Sequence, residues 1–287
     1  MGREGGVVVA QERDPNINAR RLGLYLQRVR EFVGGSYGEV ALAVGCEVDW
    51  LVRVETGFGR PTPEEVEGLL VAYGVREANV AEIMIDLASR PDGPEWLAAH
   101  EERFRRGQRD VLISESEASV VRTFGSLLVP YLARSEVYFR CTEPQLHPDN
   151  DVELEWDLLS NRQRYRPGGR RRELQVIIDE RVLDPRGEEE MMEAQLRHLL
   201  ELGAGPDTTV HVIPKEAAFY EERAHPFDVL EFPGVADHIS IAHMPHGSEI
   251  TPYDLTDIWH FIKDKSALSP SDSRDLIVDH LAGRRRV

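Results

Sequence analysis

Two groups of side chains in this sequence are placed to do chemistry. The first lies between residues 28 and 57. It holds Arg28, Ser36, Trp50 and Arg53, with glycines at 45 and 57 and the acids Glu47 and Asp49 between them. Arginine offers a permanently charged fork for phosphate, and tryptophan is favoured at interface hot spots. This is recognition chemistry rather than bond breaking. The second group follows residue 130: Tyr131, Arg134 and Tyr138, then Arg162, and Glu180 after an apolar run. An aromatic and a cation beside Tyr138 could shape a ligand pocket, and plain repacking is the blander reading. Asp179-Glu180 could act as acid or base, although carboxylates at strand ends more often cap the following turn.

Residues 161–173 read NRQRYRPGGRRRE, with arginines at 162, 164, 166, 170, 171 and 172. Such a run suits a nucleic acid, a phosphorylated ligand or an acidic partner, and a solvated loop after a helix is the simpler account. Arg284-Arg285-Arg286 is a shorter run of the same kind. His225, His238, His243 and His246 lie near one another in sequence, but Pro245 breaks helical spacing and no cysteine joins them. Zinc sites gather three or four converging ligands, so no metal is assigned. There is no Gly-x-Ser-x-Gly elbow, Walker loop, dinucleotide fingerprint or His-Glu-x-x-His. No catalytic residue or cofactor is assigned, and Met191-Met192 reads as core.

These groups need elements to hold them. Leu22, Leu26, Val29 and Val33 mark one face of a helix, which Gly34-Gly35 stops. Ser36 with Glu39 makes a capping-box start, and Gly45 ends that second helix. A third, short helix follows, closed by Gly57. Thr62-Pro63-Glu64-Glu65 starts a fourth, with Leu69, Leu70, Tyr73 and Val75 inward, and a fifth runs near 77–87. Two tight glycine turns around short helices form a helix-turn-helix, which lays one helix in the major groove while the helix before it braces on the backbone. Ser89–Pro94 carries two prolines and a glycine and reads as a linker. Beyond it a helix is expected at 94–106, a strand at 174–178, a helix at 188–202, β-rich runs at 208–213, 227–232 and 238–242, and helices at 252–265 and 270–281. The expected organisation is a loose arm (1–18), an all-α helix-turn-helix domain of about five helices (19–88), a linker (89–94) and an α+β domain (95–287).

Composition narrows the partners. The chain has 287 residues, a net charge of −17 and a pI of about 5.1. That field opposes indiscriminate binding to polyanions. Two cysteines, Cys46 and Cys141, make no disulfide framework. No apolar run approaches the roughly 18 residues of a membrane span, and the first residues do not read as a signal peptide. A cytoplasmic protein without membrane association is expected.

Ordered motifs then carry a resemblance. Arg21-Leu22-Gly23, Arg28-Val29-Arg30-Glu31, Ser36, Glu39-Val40-Ala41, Gly45, Arg53-Val54-Glu55-Thr56-Gly57, Pro61, Leu69-Leu70 and Tyr73-Gly74-Val75 are similar to the XRE-type helix-turn-helix of actinobacterial regulators. Pro130, Leu132, Ser135 and Tyr138, then Arg162-Gln163, Asp179-Glu180, Gln195-Leu196, Leu199-Leu200, Val212-Ile213-Pro214, Phe227, Leu230–Pro233 and Ala267–Pro270 with Ser273 follow in the same order. Together they resemble antitoxin-like transcriptional regulators that pair an XRE domain with an uncharacterised C-terminal domain. The resemblance implies duplex DNA as partner, a homodimer, a small protein partner and a C-terminal sensing or partner-binding role. It places Arg28, Ser36 and Arg53 at the DNA, with Trp50 beside them at a position where this chain departs from the pattern, and Tyr138, Arg162 and Glu180 among ligand candidates, which Tyr131 and Arg134 join because they stand where the family usually has a glycine and a glutamine.

The departures from that pattern point the other way. Small polar residues and a lysine are usual at the front of the third helix, where this chain has Glu47, Val48, Asp49 and Trp50, with Val52 in place of another serine. Gly38 costs its helix roughly 1 kcal/mol relative to alanine. From Arg20 to Gly57, Arg20, Arg21, Arg28, Arg30 and Arg53 are balanced by Glu31, Glu39, Glu47, Asp49 and Glu55. A neutral module has little of the phosphate neutralisation on which DNA affinity rests. Glu47 or Asp49 could accept from cytosine N4, or simply offset the helix dipole. A degenerate recognition helix leaves three readings: a regulator, a repurposed relative whose C-terminal domain binds or transforms a small molecule, and an adaptor anchored by an exposed Trp50.

Overall fold

The computed structural model describes residues 16–90, 93–104, 106–165, 169, 171–184, 189–218, 220–232, 238–244 and 247–284. Most of the expected arm, two residues of the linker, parts of both arginine runs, and Pro245-His246 lie outside the described residues. The chain divides into two compact units, Met1–Asp92 and Gly93–Val287. Among the described residues no helix is long and apolar enough to cross a membrane.

The first unit is five helices: α1 (Ile17–Phe32), α2 (Tyr37–Val44), α3 (Val48–Glu55), α4 (Pro63–Ala72) and α5 (Ala78–Ser89). Their starts are written locally. Asn16 accepts the Ala19 N–H at 2.9 Å. Ser36 and Thr62 each form a complete capping box, with Glu39 and Glu65 respectively, and Pro63 occupies the first turn of α4. Gly45 is left-handed, at φ +77°, and turns the chain from α2 into α3. Leu22, Leu26, Leu51, Val54, Val66 and Leu69 fill the centre of the unit.

Close approach at one point fixes α1 against α3. A Cβ on Gly23 would stand 2.5 Å from the Val54 carbonyl oxygen. One on Gly57, itself at φ +75°, would stand 2.7 Å from the Arg20 Cα. Only glycine fits both places. Across the same contact runs a buried ion pair. Arg30 donates to Glu55 through Nε and Nη2, each at 2.8 Å to the nearer oxygen. Tyr73 donates its hydroxyl to Glu55 at 2.9 Å, and Arg30 Nη1 donates to the Gly35 carbonyl at 3.0 Å. The guanidinium also lies 3.9 Å from the centre of the Tyr37 ring. Arg30 and Glu55 are therefore internal, not part of the surface charge, and their removal from the tally leaves the module neutral as before.

The second unit is built on a six-stranded sheet in the order β3-β2-β1-β4-β5-β6. β1 (Val120–Gly125), β2 (Glu173–Asp179) and β3 (Thr208–Ile213) are parallel, while β4 (Phe227–Glu231), β5 (His238–Met244) and β6 (Gly247–Thr251) run antiparallel. Parallel neighbours need crossovers. The β1–β2 connection carries α8 (Glu136–Leu146) and α9 (Val152–Arg164), and the β2–β3 connection carries α10 (Glu189–Ala204). Central β2 is buried from Val176 through Asp179 without alternation, as a strand covered on both faces must be. α11 (Thr256–Ser266) sets Trp259 and Ile262 against Phe124, Ile177, Ile213, Phe227 and Val229. α12 (Pro270–Arg284) docks through Ser273, whose hydroxyl accepts the Val212 N–H at 2.9 Å.

The expected helix at 94–106 is not one helix. It is the short α6 (Glu95–Ala98), a single 3-10 turn at Glu101–Arg103, and the start of α7 (Arg106–Glu117). Pro94 stands at the N-cap of α6, and among the described residues the segment buries Pro94, Leu97 and His100 before α7.

Candidate functional site

In the first unit, α2, the Gly45 turn and α3 place Ser36 at the N-cap of α2 and Arg53 in the last turn of α3. Arg28 is exposed on α1, and Arg53 is half-buried. The Ser36 hydroxyl already serves the capping box, donating to Glu39 at 2.7 Å, and this bond holds the Glu39 carboxyl below its ordinary pKa. Trp50 is half-buried and packs against the helical core. The adaptor reading needed a free ring there, and packing against the core uses much of it. Glu47 is the N-cap of α3 but makes no side-chain capping bond, and Asp49 is exposed in the first turn. Around them Leu42 is 85% and Val48 45% exposed. The outward face of the helix pair is thus apolar and acidic, with Arg53 as its cation.

In the second unit, four of the five ligand candidates come together. Gly125 lets the chain turn tightly, since a Cβ there would stand 2.4 Å from the Leu128 carbonyl oxygen. Pro130 then leads a 3-10 turn, Tyr131–Ala133. Arg134, 3% exposed, stacks 3.8 Å from the centre of the Tyr131 ring and donates to the Val129 carbonyl at 2.8 Å. The Tyr138 hydroxyl accepts the Val129 N–H at 3.4 Å. Arg162 lies 5.6 Å from the Tyr131 ring centre and forks onto Glu115 at 3.1 and 2.7 Å. Burial opposes the Arg162 charge, but Glu115 outweighs it and raises the pKa. Two side-chain amides, one half-buried and one buried, brace this turn. Gln163 donates to the Arg134 carbonyl, and Gln195 donates to the Ala133 carbonyl while accepting the Ser135 N–H, each at 2.8 Å.

Tyr131 and Arg162 line a cleft of about 330 Å³ whose wall also includes Phe104, Gln108, Phe139, Glu143, Asn150 and Ser248. Its size falls in the range of small-molecule sites. Glu180 does not line it. That carboxylate accepts the Lys215 N–H at 2.8 Å and meets His280 Nε2 at 2.9 Å, so it ties β2 to the chain after β3 and to α12.

Sequence reasoning missed the other half of the cleft. Asp228, an acid between Phe227 and Val229 in β4, is buried and lies 2.9 Å from His243 Nε2. His243 Nδ1 lies 2.7 Å from the Ser248 hydroxyl oxygen, across the β5–β6 pair. Burial works against the Asp228 charge, but His243, Thr123 and Arg162 overcome it and lower the pKa. An ionised carboxylate only accepts, so Nε2 carries a proton, and in the neutral ring Nδ1 then accepts from Ser248. The serine thereby turns its lone pairs outward. An acid in the middle of an apolar strand was the available signal, but its partners depend on a register set by three strands. Histidine served here as a link in this relay, and among the described residues no group of three metal-ligating side chains exists.

Residues 108–279 match the family model described as Domain of unknown function (DUF5753), and residues 21–83 match that described as Helix-turn-helix domain. No curated protein and no solved structure matches the chain. The first match spans more than half of the sequence, and the chain belongs to the DUF5753 family, with a helix-turn-helix domain at its N-terminal end.

Proposed function

We propose that this member of the DUF5753 family is a DNA-binding transcriptional regulator of the XRE type, whose C-terminal domain takes an effector in the Tyr131–Arg162 cleft. The observation that carries the reading is the α2–Gly45–α3 unit, locked to α1 by glycine contacts and a buried ion pair. A third helix held that rigidly can be laid in a groove in one orientation. We take residues 19–88 as the DNA-reading module and 95–287 as the sensing or partner-binding module, joined through 89–94. A homodimer fits this function, because one helix per half-site makes few specific contacts. A small protein partner, as in antitoxin-like pairs, and a cytoplasmic setting follow from the resemblance.

The second reading is a relative that has kept the shape and lost DNA. Glu47, Val48, Asp49 and Leu42 favour it, being outward on the helix pair with only a half-buried Arg53 among them. Labelled duplex from the protein's own promoter, titrated across a salt series, separates the two. The regulator keeps a site preference against competitor DNA, with a shallow salt dependence because few phosphates are neutralised. Absence of binding at low salt establishes the second reading.

A further inference from the structure

The cleft is short of hydrogen-bond donors at two of its polar points. Glu143, on α8, is 2% exposed. Its Oε1 accepts from the Asn150 amide at 3.1 Å, but among the described residues its Oε2 has no hydrogen-bond partner and no cation is paired with the group. The other charged pairs of the wall are closed: Arg162 is forked onto Glu115, and Glu155 is bonded to Arg103 at 2.6 Å. Glu143 is therefore the unmatched carboxylate of the wall, and the side chain of His147, another titratable group there, is not hydrogen-bonded to it. With the His243 ring neutral, Ser248 donates its hydrogen to Nδ1 and offers lone pairs alone. A buried carboxylate oxygen left unsatisfied keeps its desolvation penalty uncompensated, which a donor brought by a guest recovers. Beside these acceptors stand the rings of Phe104, Phe139 and Tyr131, which suit an apolar body and favour positive charge near their faces.

We infer that this cleft binds a small primary amine on an aromatic or alicyclic body, with its ammonium on Glu143 Oε2. As regulation, this rests on the reading of the cleft as the effector site; as binding, it stands by itself. The test uses the full chain at pH 7 and isothermal titration with 2-phenylethylamine and cyclohexylmethylamine, against 2-phenylethanol and 3-phenylpropionate. At least one amine binds, the alcohol binds at least tenfold more weakly, and the carboxylate does not bind. Glu143→Gln, with an unchanged circular dichroism spectrum, weakens the amine at least tenfold and leaves the alcohol within twofold. If that variant does not fold, amide spectra of the native protein decide. Shifts at Gln108, Asn150 and Ser248 on adding amine support the site, and shifts confined elsewhere overturn it. No binding by either amine, or equal binding of amine and alcohol, also overturns it. A protein that binds amine but not its promoter retains this site and loses the gene-control reading, and the reverse outcome does the opposite.

Discussion

Glu55 and Glu143 are both buried glutamates, one in each unit, and their surroundings differ in kind. Glu55 has an arginine fork and a tyrosine hydroxyl, so its oxygens are spent. Glu143 has one amide and a buried oxygen without a hydrogen-bond partner, on a residue that lines a cleft. A fully satisfied buried network makes a fold unique and stiff. A partly satisfied one in a native protein asks for an explanation, and a missing guest is one. The helical unit spends its buried polarity on holding α3 still, while the sheet unit leaves some unspent beside a space large enough to fill.

The same substitution in both places tests that contrast. Glu55→Gln breaks the bidentate pair and strands Arg30 in the interior, a loss of about 3–5 kcal/mol by the usual cost of breaking a buried pair. Urea denaturation measures it, and a loss under about 1 kcal/mol would show the pair to be ornamental. Next in size, Gly57→Ala forces a Cβ against the Arg20 backbone at a left-handed position, which costs about 1–3 kcal/mol. A Tm within a degree of the native protein would mean that α1 can retreat from α3 without penalty.

A smaller effect comes from pH, and it belongs to the sheet unit. Burial lowers the pKa of His198 and of His211, in the first against the pull of Glu201 and in the second against a bond to the Leu268 carbonyl. The unfolded chain then binds more protons than the fold. The stability these groups contribute is whole above about 6.5 and is lost as pH falls through the folded values. Asp228, also lowered, adds a second loss, beginning below about 3.9. Denaturation at pH 7, 6 and 5 should show a decline on the order of 1 kcal/mol, and a flat profile would contradict the sign. Last, Glu143→Gln in the absence of amine should change stability by less than about 1 kcal/mol, or raise it, because no ion pair is lost and a buried charge disappears. A loss as large as that at Glu55 would mean that Glu143 is structural.

Local signals were legible in the sequence, and signals that depend on register were not. Ser36 with Glu39, and Thr62-Pro63 with Glu65, specify helix starts within four residues, so the helix-turn-helix could be placed before any coordinates. The apolar runs of β2, β3, β4 and β5 were equally plain. β1 was hidden because Arg122 and Thr123 interrupt it, and β6, GSEIT, because an edge strand has no need of an apolar run. Arg30 and Glu55 looked like surface charge, being 25 residues apart with nothing local to join them. Tyr138 and Arg162, which follow the family pattern, and Tyr131 and Arg134, which depart from it, do adjoin one another, whereas Glu180 belongs to a different network. Asp228, His243 and Ser248 become neighbours only once three antiparallel strands are in register, and Glu143 reads in sequence as one more acid on a helix.

Gln195 ties the turn beside the cleft to α10. A single amide holds both the Ala133 carbonyl and the Ser135 N–H from the middle of α10. Anything that pushes Tyr131 outward must either carry that helix along or break two hydrogen bonds at once, each worth about 0.5–1.5 kcal/mol. The rim of the cleft and α10 are hinged on one pin, so occupancy of the one can be felt as displacement of the other.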